Sequence, residues 1–147
     1  MTTSHQMLTD FVIEGRQVTR GSLEEQAVHE YKGCKYIREN EPEINAVSER
    51  VYTVMGLIWT ATHHGGFIQG ALEEARLKEE TVQQYIDCCR EKTYSQRRTL
   101  GRTIVRAHGI SYMDVSWGNI FDFTGEEMAM HNSITLFRVL SRGGRVP

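Results

Sequence analysis

Residues 40–66, NEPEINAVSERVYTVMGLIWTATHHGG, decide how the chain is read. Asn40 can cap a helix, Pro42 suits a first turn, and Glu43 stands at capping-box distance from Asn40. Ile44, Val47, Val51, Val54, Met55, Ile58 and Ala61 then recur at helical intervals, with Asn45, Glu49 and Thr53 on the opposite face. The spacing predicts one long helix from about residue 41 to His64, stopped by Gly65-Gly66.

Beyond that glycine pair, Ile68, Ala71, Ala75, Lys78, Val82, Tyr85 and Cys89 alternate spacings of three and four, which is a heptad pattern with one polar member. A second helix from about 66 to 92 follows, with Phe67, Leu72 and Ile86 widening its apolar face. A break near Lys78-Glu79-Glu80, giving two shorter helices, is the alternative. The two long helices together read as an antiparallel helical hairpin.

The flanks read as smaller elements. Residues 11–20 suggest a β-hairpin turning at Gly15. Ser22 with Glu25, Thr93 with Gln96, and Thr124 with Glu127 each have capping-box spacing, so shorter helices are expected from 22 to 33, 93 to 108 and 124 to 142. Ile110 to Trp117 alternates as a half-buried strand would, and can pair with the amino-terminal hairpin. The expected fold is therefore mainly α, a long helical hairpin with shorter flanking helices and room for a small antiparallel sheet, in a single domain spanning 1–147. No internal repeat is evident by eye.

Composition narrows the setting. Hydrophobic residues make up 39% and charged residues 24% of the 147, an ordinary globular balance. No apolar run is long enough for a membrane span, and residues 1–10 have neither the basic region nor the apolar core of a signal peptide. Cys34, Cys88 and Cys89 leave an odd thiol in any pairing and match no zinc spacing, so a reducing cytoplasm is expected. The net charge of −2 hides an asymmetry: 13 acids and 8 bases up to residue 80, then 6 acids and 9 bases.

No local sequence motif supplies chemistry. Gly65, Gly66 and Gly70 match neither the dinucleotide nor the P-loop pattern, and GxSxG and HExxH are missing. His63, His64, His108 and His131 are the nearest approach to a metal set, but neighbouring histidines on a helix point about 100° apart, so no metal and no cofactor is expected. Trp59, Trp117 and Tyr112 read as core. Arg90, Lys92, Arg97, Arg98, Arg102 and Arg106 form the densest basic segment, with Arg98, Arg102 and Arg106 along one helix face.

These features favour a non-enzymatic binding or regulatory protein, of inhibitor or adaptor type, that self-associates through Ile68, Leu72, Ala75, Val82, Tyr85 and Ile86. The alternative is binding of nucleic acid or a phosphorylated or nucleotide ligand by segment 90–106, with Arg97, Arg98, Arg102 and Arg106 on the phosphates. A protein partner is expected and a membrane is not.

Overall fold

The computed structural model describes residues 4–22 and 24–147 and overturns the helical expectation. Most of the chain builds one eight-stranded antiparallel sheet. Helix α1 (His5–Val18) precedes strands β1 (Gln26–Tyr31), β2 (Cys34–Glu41), β3 (Ala46–Thr53) and β4 (Gly56–Phe67). Helices α2 (Gln69–Ala75) and α3 (Glu79–Ser95) precede β5 (Arg102–Ala107), β6 (Ile110–Asn119), β7 (Asp122–His131) and β8 (Ile134–Arg145). The strand order is β1-β2-β3-β4-β8-β7-β6-β5, so two four-stranded meanders join edge to edge through β4 and β8.

The predicted helix 41–64 is thus β3, β4 and their hairpin, and its stripe fitted two periods at once. Val47, Glu49 and Val51 alternate inward on β3, as do Trp59, Ala61 and His63 on β4, while the β-branched content of the segment suits a pleated surface. The expected hairpin at 11–20 lies in α1, where Leu8, Val12 and Ile13 are buried. The expected helices at 22–33 and 124–142 are strands, and 93–108 divides between the end of α3, a loop and β5. Of the flanking elements only Ile110–Trp117 keeps its assignment, inside β6, and it pairs with β5 and β7 rather than with the amino-terminal segment. The 66–92 segment is broken at Leu77-Lys78, as the shorter-helix alternative had it.

Turn chemistry explains much of the reversal. Lys32-Gly33, His108-Gly109 and Asn132-Ser133 are two-residue connections with positive φ at both positions, the backbone that closes a hairpin with the right twist. Read one at a time, Gly33 and Gly109 looked like helix stops.

The two meanders repeat each other, contrary to the expectation of no repeat. The buried residues Leu8, Val12 and Gly15 of α1 recur as Val82, Ile86 and Cys89 of α3, each set followed by an arginine, Arg16 or Arg90, and then by a buried threonine, Thr19 or Thr93. Tyr36 and Val51 lie directly opposite each other on β2 and β3, as Tyr112 and Ala129 do on β6 and β7. A bulge offsets β3 from β4 after Val51 and β7 from β8 after Ala129. Even the glycine pairs match. A Cβ on Gly65 would lie 2.1 Å from the Arg138 carbonyl oxygen, and one on Gly143 would lie 2.6 Å from that of Thr60. Both pairs let β4 and β8 approach across the axis relating the halves, an axis that runs through the opposed residues His63 and Ser141.

Both long helices cover the same face of the sheet. Leu8 and Val12 pack on Tyr36, Val51, Trp59 and Ala61, while Leu72, Val82, Ile86 and Cys89 pack on Tyr112, Ala129, Leu136 and Phe137. The Trp59 indole donates to the Ile120 carbonyl at 2.7 Å, so the first half's largest core residue is tied to the β6–β7 turn of the second. No described helix is long and apolar enough to cross a membrane.

Candidate functional site

Where α1 and α3 run over the seam between the halves, the covered face is not filled. A cavity of about 330 Å³ remains between the two helices and strands β2, β3, β4, β6, β7 and β8. At the seam the sheet presents His63, Ser141, Gly65 and Gly125, whereas Trp59 and Tyr112 fill the space under each helix. Alternation on the strands aims every second side chain at this space.

Each half contributes a buried ionic unit. In the first, Arg16 donates to both oxygens of Glu49 at 2.7 and 2.8 Å, the Tyr36 hydroxyl donates at 2.5 Å, and His63 Nε2 lies 2.5 Å from the same carboxylate. Burial by itself would raise the Glu49 pKa, but the charge of Arg16 and the hydrogen bonds from Arg16 and His63 hold it well below the usual range. In the second half, Arg90 donates to both oxygens of Glu127 at 2.9 and 2.6 Å, and the Tyr112 hydroxyl donates to it as well. Burial again works against ionisation and Arg90 overcomes it, so Glu127 too stays below its ordinary value. Both tyrosines are pushed up, first by burial and then by the carboxylate beside them.

Against these saturated groups stand several that are not. Asp114 on β6 lines the cavity with no hydrogen-bond partner among the described residues, and burial followed by the nearby Glu127 charge pushes it up to about 7. Tyr94 of α3 also lines the cavity, its hydroxyl without a hydrogen-bond partner among the described residues and close enough to Arg16 and Arg90 to influence both. Thr99 is 9% exposed, and its hydroxyl is buried and unbonded. His63 Nδ1 meets Ser141 Oγ at 2.6 Å across β4 and β8. A small concave site where such polar groups converge is the usual form of a ligand or active site.

The residues singled out from the sequence fall elsewhere. Leu72, Val82 and Ile86 are in the core, Ala75 and Tyr85 pack partly against it, and Ile68 is exposed at the start of α2. The stripe is spent inside the chain. The four arginines share no helix face: Arg97 pairs with Asp10 at 2.6 Å, and Arg98 braces the α3–β5 loop through the Leu100 carbonyl at 2.9 Å and the Thr103 hydroxyl at 2.8 Å. Arg102 and Arg106 are exposed on edge strand β5. His63 and His64 face opposite sides of β4, as alternation requires. Sequence reading passed over Glu49, Tyr94 and Ser141 as site residues because they lie on different elements; the recurring double glycine was the one local hint of the seam. No family model matches the chain, and no curated protein or solved structure is significantly similar to it.

Proposed function

We propose that the seam cavity is the active site of a small-molecule enzyme that works by proton transfer. One observation carries this reading. Beside ionic groups that occupy one another, Asp114 has no hydrogen-bond partner among the described residues, and the Ser141 hydroxyl meets His63 at the cavity wall. A buried carboxyl that takes and gives up a proton near neutral pH costs stability, and such costs concentrate at functional sites. The cavity lies at the small end of the usual range for ligand pockets, roughly 300–1,000 Å³, which limits the ligand to a compact molecule. Phe123, Phe137 and Val139 supply apolar wall.

Titration of isotope-labelled protein with a panel of compact hydroxy, keto and ester compounds tests this. Amide shifts should centre on Asp114, Tyr94 and Ser141, and Asp114→Asn should weaken or abolish turnover of whichever compound reacts. Shifts confined to the open face of the sheet would overturn the reading.

A second reading, self-association, is supported by that open face rather than by the helical stripe. Ile104, Leu140 and Trp117 are 47%, 49% and 60% exposed, and Met113, Val115 and Met128 lie among them by register, beside the Glu126–Arg138 ion pair on the same face. Sedimentation should show a dimer that Leu140→Asp disperses. A wild-type monomer at high concentration would rule it out.

A further inference from the structure

We infer that Ser141 is a nucleophile, activated by His63 and Glu49, and that the seam cavity takes a small uncharged carboxylic ester. The inference rests on the cavity being a small-molecule site and names its reaction. Glu49 is ionised and can only accept, so the imidazole hydrogen belongs on Nε2, facing it. That leaves the Nδ1 lone pair directed at the Ser141 hydroxyl 2.6 Å away. Base, orienting carboxylate and hydroxyl are joined in one line, the arrangement that activates serine on unrelated folds. The roles of the two ring nitrogens are exchanged relative to the familiar serine hydrolases, and either nitrogen can serve as the base.

The surroundings hold this line rigid. Glu49 is 2% exposed and is fixed by Arg16 and Tyr36, so it cannot turn away from His63. His63 and Ser141 are register partners on adjacent strands, which sets their separation through the backbone. The substrate class follows from charge. Arg16, Arg20, Arg38 and Arg90 are matched by Glu49, Asp87, Glu126 and Glu127 around the cavity, with Asp114 in addition, leaving no positive excess to hold an anionic ligand.

In the first step Ser141 Oγ attacks the ester carbonyl carbon and its proton passes to His63 Nδ1. The carbonyl oxygen becomes an oxyanion, for which the Tyr94 hydroxyl, unpartnered among the described residues, is the donor we assign. Collapse breaks the bond to the alkoxy oxygen, which takes the proton from Nδ1 and leaves as an alcohol. Water then attacks the acyl-serine, again giving its proton to His63, and releases the carboxylic acid as Ser141 recovers its proton. No oxidant or metal is required.

The test uses a fluorophosphonate, in which attack by the serine oxygen on phosphorus expels fluoride. The full chain should gain one adduct by intact mass, mapped to Ser141, and lose it in Ser141→Ala. His63→Asn should slow labelling by 10²-fold or more, the range for loss of a general base, and Tyr94→Phe should slow hydrolysis of 4-nitrophenyl acetate at unchanged folding. Absence of labelling, or labelling at equal rate in His63→Asn or in denatured protein, overturns the assignment. If compounds still shift the Asp114 and Tyr94 amides in that event, the nucleophile fails and the small-molecule site stands; if neither labelling nor binding occurs, both fail.

Discussion

On β2, Arg38 stands opposite Glu49; at the matching place in the second half, Asp114 on β6 stands opposite Glu127. Around the same arginine–glutamate–tyrosine unit the first half therefore adds a cation and the second an acid. The Arg38 Nε is buried without a partner, and Asp114 is left unbonded. At the axis itself the matching positions hold His63 and Ser141, which meet. A repeated frame made of saturated pairs carries the stability, and the positions where the halves diverge are those left over for chemistry.

Removing one partner of a buried pair should show the largest effect. Glu49→Ala strands the Arg16 charge and two further donors, and should cost about 3–5 kcal/mol in denaturant unfolding. Glu127→Ala, whose Arg90 is 33% exposed against 19% for Arg16, should cost less, about 1–3 kcal/mol. Equal losses would mean that the first unit is no more tightly locked than the second. Glu49 should also make the fold acid-sensitive: its pKa is lowered in the native state, so its contribution is present above the ordinary carboxylate value and is lost as pH falls below it.

Helix seating differs between the halves in a way a methyl group can probe. Gly15 lies over Tyr36 so closely that a Cβ would fall 2.4 Å from the ring. Gly15→Ala should cost about 1–3 kcal/mol by overpacking, whereas Cys89→Ala at the matching position of α3 only removes a sulfur and should cost about 1 kcal/mol. Thermal unfolding of the two variants side by side distinguishes these costs.

Asp114 gives a smaller effect of opposite sign. Its carboxyl is raised from an ordinary value of 3.8 to about 7, so the native state holds the proton more tightly than the unfolded chain does, and stability falls as pH rises through that interval. Asp114→Asn should leave stability near pH 4 little changed and increase it at pH 8 by about 1–2 kcal/mol, while removing the proton-transfer chemistry. Unfolding curves at the two pH values check the sign. The smallest effect is expected on the edge strand, where Arg102→Gln with Arg106→Gln should change stability by less than about 0.5 kcal/mol. Arg98→Gln should cost more than either, because it releases contacts to Gln96, Leu100, Arg102 and Thr103.

What the residues determined on their own was local and chemical: an ordinary core-forming composition, the strand at 110–117, and Trp59, Tyr112 and Cys89 as buried side chains; the break near Lys78 was only the alternative to one continuous helix, and Trp117, read as core, is 60% exposed. Sequence patterning could not settle helix against strand over 41–64, since Val47, Val51, Val54 and Ile58 satisfy a helical stripe while Val47, Glu49 and Val51 satisfy an alternating one. Pairing with β2 and β8 decided it, because an extended chain completes its backbone hydrogen bonds only with neighbours distant in sequence. The same holds for the site. Glu49 looked like a solvated position opposite an apolar stripe until Arg16, from what was read as a hairpin, and His63 were brought to it. Ser141 acquires a base only because the two halves meet edge to edge, and that meeting is a property of the assembled sheet rather than of any one segment.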